Sequence, residues 1–206
     1  VKGYLVLLFL SYSKKEPFFQ SLNLRSIVMK VYVARHGQTE WNVLNKVCGR
    51  TDIGLTQEGF QQAKELSNHI ATYKIQIIIS SPLKRAIQTA QVVSQENNIP
   101  YLIDKRLIEQ DYGIFEGVDR KNTDFLENKK QFAFRYPYGE SMMQVAYRTY
   151  GLLEEIKNIY KGKNVLLVCH GGVARVIHTY FRDIRNEDFF LFSLENCHCH
   201  EYEFKE

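Results

Sequence analysis

Short apolar runs separated by amphipathic stretches constrain this chain more than any other feature. Residues 31–34, 75–79 and 165–168 are almost wholly aliphatic, with Gln76 the one polar interruption. Runs of this length without polar alternation suit strands covered on both faces. The first is expected to open at Met29, and Tyr101 to Ile103 reads as a further short strand. Between the runs, Phe60, Ala63, Leu66 and Ile70 recur at helical spacing behind Thr56, a suitable N-cap, and Glu58, a first-turn carboxylate. Ser81-Pro82 reads as the N-cap and first residue of a helix reaching Asn97. Val145, Thr149, Leu152, Leu153, Ile156 and Tyr160 mark a long helix. Residues 173–180 read as helix and 191–204 supply strand, while 113–139 mix a short helix with loop. Strands alternating with helices predict an α/β three-layer sandwich, a mostly parallel central sheet flanked by helices.

A chain of 206 residues suits one such domain, expected over residues 29–206. Residues 1–28 are expected to be a non-catalytic extension. The apolar run that starts them is too short to span a bilayer, so no membrane partner is expected. A net charge of +4, spread along the chain, does not point to nucleic acid. The four cysteines form no disulfide framework, which suggests a reducing cytoplasm. Cys197-His198-Cys199-His200 invites a metal reading. On a strand, however, alternation would send both cysteines to one face and both histidines to the other, so no metal is expected.

The chemistry sits where strands end. Two of them run into a histidine and a glycine: Arg35-His36-Gly37 and Cys169-His170-Gly171-Gly172. In open α/β sheets ligands bind beyond the carboxyl ends of the strands. Gly171, at the start of a helix, offers free backbone N–H groups to an anion. Arg35 beside His36 sharpens the reading, since a guanidinium matches phosphate geometry. Arg85, at the head of another helix following a strand, can face the same crevice.

These segments resemble the histidine phosphatase superfamily, the cofactor-dependent phosphoglycerate mutase-like proteins. Residues Arg35-His36-Gly37-Gln38-Thr39-Glu40-Trp41-Asn42 match its signature. Blocks around Gly49-Arg50-Thr51-Asp52, Ser80-Ser81-Pro82-Leu83 with Arg85, Glu109 with Tyr112-Gly113 and Glu116-Gly117, and His170-Gly171-Gly172 follow in family order. The resemblance implies that His36 attacks phosphorus as a neutral imidazole, its other ring proton held by the Gly37 carbonyl. It implies that Arg35, Asn42, Arg85, His170 and Gly171 surround the phosphoryl oxygens, and that Glu109 is the general acid and base. Gly49, Tyr112, Arg120 and Lys121 are candidates for a lid or substrate contact. Glu40, Glu58 and Glu116 read as surface or locally bonded carboxylates, and Trp41 as packing.

Phosphatase and mutase share these parts and differ in the acceptor of the phosphoryl group. The stretch after Gly117 is short and lacks the paired arginines with which mutases grip a second anionic group, although Arg120, Lys121 and Arg135 offer partial substitutes. A phosphatase acting on a small phosphomonoester, without cofactor, is therefore the favoured expectation. The alternative is a phosphoglycerate mutase primed by 2,3-bisphosphoglycerate. Retention of His36 and Glu109 argues against a non-catalytic phosphate-binding protein. Phe115, Phe125, Phe132, Phe134, Tyr136 and Tyr138 either favour a planar substrate or anchor the lid to the core. Aromatic surface also leaves a homodimer open.

Overall fold

The structure is a computed structural model that describes residues 29–204, so the expected extension over 1–28 lies outside the described residues. Strands β1 (Lys30–Arg35), β2 (Ile75–Ser80), β3 (Tyr101–Ile103), β4 (Asn164–Cys169) and β5 (Cys199–Glu203) form a single sheet in the order β3-β2-β4-β1-β5. All neighbours are parallel except β5, which runs antiparallel to β1. The sheet is thus mostly parallel, as expected. β4 inserts between β1 and β2, and its register with β1 sets Arg35 opposite Cys169. That register carries His36 and His170, one residue further on, to the same edge of the sheet.

Alternate residues of the strands feed two cores. Tyr32, Ala34, Leu166 and Val168 pack with Ala63, Leu66 and Ile70 of α2 (Gln57–Ile70) and with Ala86, Ala90 and Val93 of α3 (Lys84–Asn97). Val31, Val33, Val165 and Leu167 pack with Val145, Leu152, Leu153 and Ile156 of α5 (Met142–Ile159) and with Val173 and Ile177 of α6 (Gly171–Phe181). These are the three layers. The short helices are α1 (Glu40–Val43), α4 (Thr123–Lys129) and α7 (Asn186–Phe189). No helix of the described residues is long and apolar enough to cross a membrane.

Two local expectations need correction. The helix after β2 starts at Lys84, not at Pro82: the Ser81 hydroxyl accepts the Leu83 N–H at 3.4 Å and lies 2.6 Å from His170 Nε2. Asp52 serves the helix end instead: its Oδ1 accepts the Lys84 N–H at 2.6 Å. The terminal strand is confined to Cys199–Glu203, since residues 191–198 wrap over the end of β1 as loop, with Cys197 left-handed at φ 57°. The facing of the Cys-His run is nevertheless as expected. Cys197 and Cys199 join the core beside β1, His198 and His200 face outward, and no metal-binding cluster occurs among the described residues.

Val47, Phe115, Phe125 and Tyr136 build a third, smaller core under the segment between Gly113 and α5. Most of the lid aromatics are therefore packing groups. Phe132 packs at a tilt against Phe189 and Phe190, and Phe134 and Tyr138 are exposed.

Candidate active site

His36 is buried at the end of β1, its own N–H bonded to the Cys169 carbonyl at 3.0 Å, which extends the β1–β4 ladder by one residue. Its Nδ1 lies 2.7 Å from the Gly37 carbonyl, an acceptor only, so Nδ1 carries the proton and donates. The Nε2 lone pair is thereby set free, and it accepts from Arg85 Nε at 3.2 Å. Burial, and then the nearby Arg85 and Arg35 charges, hold the His36 pKa well below 6.5, so the ring is neutral at physiological pH. A neutral imidazole with a fixed tautomer and an in-plane lone pair is a nucleophile.

Arg85 is completely buried on the first turn of α3. Its Nη2 and Nη1 donate to the carbonyls of Gly49 and Thr51 at 2.7 and 2.9 Å. Gly49 presents a carbonyl to Arg85. A Cβ there would lie 2.4 Å from the Gln110 carbonyl oxygen, a backbone atom, which excludes other residues. Glu116 is a hydrogen-bonding carboxylate rather than a surface one. It accepts from the backbone N–H groups of Gly49, Arg50 and Thr51 and from the Thr51 hydroxyl.

Glu109 is likewise buried, with Oε1 accepting from Gln110 N at 2.8 Å and Oε2 from Gly172 N at 3.0 Å. Its carboxyl thus rests against the first turn of α6. A Cβ on Gly172 would meet Oε1 at 2.6 Å, so glycine is what allows this approach. His170, fully buried, has its ring centroid 5.1 Å from that of His36. Burial, then Arg85 and His36, hold its pKa well below 6.5 as well.

Arg35, His36, Asn42, Glu109, Tyr112, Arg120 and Gly171 line a common cavity. Arg35 donates through Nη1 to the Leu194 carbonyl at 3.0 Å, while its buried Nε–H meets no acceptor among the described residues. An unanswered guanidinium donor at a cavity wall is what a bound anion would satisfy. Burial, followed by repulsion from Arg120, brings the Arg35 pKa down to about 10. Asn42 accepts at Oδ1 from Thr39 N at 3.0 Å, in the capping box of α1. Its amide N–H groups are left as donors. Asn196, from the 191–198 loop, donates to the His36 carbonyl at 2.8 Å and braces Asn42 at 3.4 Å.

Of the remaining candidates, Lys121 is exposed and does not line the cavity; its backbone N–H is tied back to Asp119 at 2.7 Å. Trp41 packs beside Gly117 and under Lys46, as expected of a packing residue. The cavity adds side chains that no motif indicated: Lys129 on α4, Arg175 on α6, and Ser193. Arg175 sits amid Val173, Ala174, Val176 and Ile177, and its charge inside an apolar helical stretch was the one available signal.

A family model described as the histidine phosphatase superfamily, branch 1, matches residues 31–206. A Bacillus subtilis protein named "uncharacterized phosphatase PhoE" is 34% identical over 159 residues, covering 77% of this chain and 78% of its own. A Cronobacter sakazakii protein named "probable phosphoglycerate mutase GpmB" is 33% identical over 154 residues, covering 70% of each. Among solved structures, a mycobacterial glucosyl-3-phosphoglycerate phosphatase complexed with VO3 superimposes with a TM-score of 0.76 at 24% identity, covering 84% of this chain and 92% of its own. At that identity the likeness bears on the fold alone.

Proposed function

Since the chain belongs to branch 1 of the histidine phosphatase superfamily, we propose that it hydrolyses small phosphomonoesters through a phosphohistidine on His36. The observation that carries this reading is the state of that ring: Nδ1–H fixed on the Gly37 carbonyl, Nε2 unprotonated and turned to Arg85. In the first step the Nε2 lone pair forms the N–P bond as the ester P–O bond breaks. Glu109, acting as the general acid, gives a proton to the departing oxygen. In the second step water attacks phosphorus, Glu109 takes the water proton, and the P–N bond breaks to return neutral His36 and inorganic phosphate. Arg35 and Arg85, with Asn42, His170 and the N-terminus of α6, answer the charge on the equatorial oxygens. The reading assigns no metal and no cofactor, because the arginines supply the neutralising charge.

The relative named as a mutase supports a second reading, return of the phosphoryl group to a phosphoglycerate after priming by 2,3-bisphosphoglycerate. The phosphatase is favoured because the stretch between Gly117 and α5 is short and has no arginine pair. The four cysteines are free, which accords with a reducing cytoplasm.

The test is release of phosphate from p-nitrophenyl phosphate and a phosphomonoester panel in EDTA, wild type against His36→Ala, beside a primed mutase assay. Release that disappears in His36→Ala is expected. Fast isomerisation with little release would establish the mutase instead, and undiminished release in His36→Ala would remove the nucleophile from the scheme.

A further inference from the structure

Glu109 is held by more than the two amides that meet its carboxyl. The main chain around it is fixed from α5, by Glu140 ahead of the N-cap Ser141 and by Arg148 within the helix. Arg148 donates through Nη1 to the Arg106 carbonyl at 2.5 Å and through Nη2 to the Glu109 carbonyl at 3.3 Å. It thus grips both ends of the stretch from Arg106 to Glu109. Glu140 takes the residues that follow. Its Oε2 accepts the Asp111 N–H at 3.1 Å, and its own N–H donates to the Asp111 carbonyl at 2.9 Å. Its carbonyl accepts from Gln110 Nε2 at 3.1 Å.

The two side chains also bind each other as a fork. Arg148 Nε meets Glu140 Oε1 and Arg148 Nη2 meets Oε2, both at 3.2 Å. Each side chain is only 15% exposed. Arg50, from the loop that clamps Arg85, reaches the same carboxylate at 3.0 Å and Asp111 at 3.4 Å. An ion pair so far from water regains in attraction about what it loses in hydration, so stability is a weak reason for it. What the fork supplies is rigidity: it ties the main chain on both sides of Glu109 to one helix. The Glu109 carboxyl meanwhile rests on another helix, through Gly172 N of α6. Neither Glu140 nor Arg148 lines the cavity, so neither touches a substrate there. A general acid must stand within hydrogen-bond reach of the leaving oxygen, and a misplacement of about 1 Å can cost roughly a hundredfold in rate.

We propose that Glu140 and Arg148 are positioning residues for Glu109, acting through the main chain of residues 106–111 to aim its carboxyl at the departing oxygen. The inference rests on the reading of His36 and Glu109 above and adds to it the groups that set the acid in place. Arg148→Lys keeps the charge but cannot span two carbonyls and a carboxylate, because an ammonium is a point donor on a flexible stem. Glu140→Gln keeps the shape and leaves the Arg148 and Arg50 guanidiniums without the anion they share. In both variants the Glu109 carboxyl is still present, and only its placement is released.

The experiment measures kcat and KM for glycerol 3-phosphate and p-nitrophenyl phosphate in the wild type, in Arg148→Lys and in Glu140→Gln. Each substitution is also combined with Glu109→Gln. The ratio of alkyl to aryl kcat should fall by roughly tenfold or more in each single variant, with KM for both esters little changed. Combined with Glu109→Gln, neither substitution should lower the ratio further, because no proton is left to misplace. That lack of additivity is the signature of residues acting through one another. A pair that only held the fold together would slow both esters alike and add its loss to that of Glu109→Gln. Either result, or a ratio equal to that of the wild type, would overturn the inference. Thermal unfolding of the same samples sets an assay temperature at which every variant is folded. Wild-type release that is absent, or that persists in His36→Ala, removes the reading of the site and this inference with it. Equal losses on both esters, in an enzyme that does work through His36, remove the inference alone.

Discussion

Both carboxylate oxygens of Glu116 bind the 49–51 loop, and the Gly49 and Thr51 carbonyls of that loop clamp the two terminal nitrogens of Arg85. Arg85 Nε is what remains to meet His36 Nε2. The acidic group thus positions the Arg85 guanidinium without neutralising it directly. It does so by fixing carbonyl oxygens, whose partial charge suits a guanidinium while leaving its net charge for phosphate.

Glu116→Gln keeps the shape but sets an amide N–H against a loop built of donors. At least one donor of the loop would lose its acceptor, and the charge assistance to the others is lost, at a cost of about 1 kcal/mol or more. The expected result is a fall in kcat/KM of roughly tenfold or more, with weaker competitive inhibition by inorganic phosphate. Unchanged phosphate affinity would show that the loop holds Arg85 without Glu116.

Glu109→Gln removes the transferable proton and keeps the volume. Hydrolysis of alkyl phosphates should fall by roughly 10²–10⁴-fold, the usual contribution of a general acid. Hydrolysis of p-nitrophenyl phosphate, whose leaving group needs little protonation, should fall far less. Equal losses on both esters would reject Glu109 as the acid.

Gly172→Ala makes the same point by displacement. The new methyl would fall 2.6 Å from Glu109 Oε1, the mobile end of a side chain, so the chain still folds and the carboxylate moves. Thermal unfolding should change little, while the ratio of alkyl to aryl phosphate turnover drops as it does in Glu109→Gln. A ratio equal to that of the wild type would mean that Glu109 tolerates the shift.

The two buried histidines make stability depend on pH. Their pKa values are lowered in the folded chain by burial and then by Arg85, while in the unfolded chain they titrate near 6.5. As pH falls below about 6.5 the unfolded state gains protons that the folded state refuses. The stability present above that pH is then lost, by up to ~1.4 kcal/mol per pH unit for each histidine. Urea midpoints between pH 5 and 8 should show this decline, and His36→Ala should make it shallower. A midpoint rising toward pH 5 would contradict neutral, buried rings.

Much of this was legible in the chain itself. Aliphatic runs at 31–34, 75–79 and 165–168 specify buried strands, and the spacing from Phe60 to Ile70 specifies a helix, because side-chain period follows directly from backbone geometry. The histidines of Arg35-His36-Gly37 and His170-Gly171-Gly172 stand out for the same reason: a polar residue and a glycine ending an apolar run announce a strand end. Glu109 was found through the order of the motif blocks rather than through any local signal. What the tertiary structure decided is which distant residues meet. The 49–51 loop binds Glu116 about 65 residues away, Ser81 meets His170 across the sheet edge, and Arg175, on a helix that reads as apolar, lines the cavity beside Lys129. Periodicity and capping act over a turn or two of chain. Convergence of charges in a cavity depends on how whole layers pack, and that information is spread over every contact in the fold.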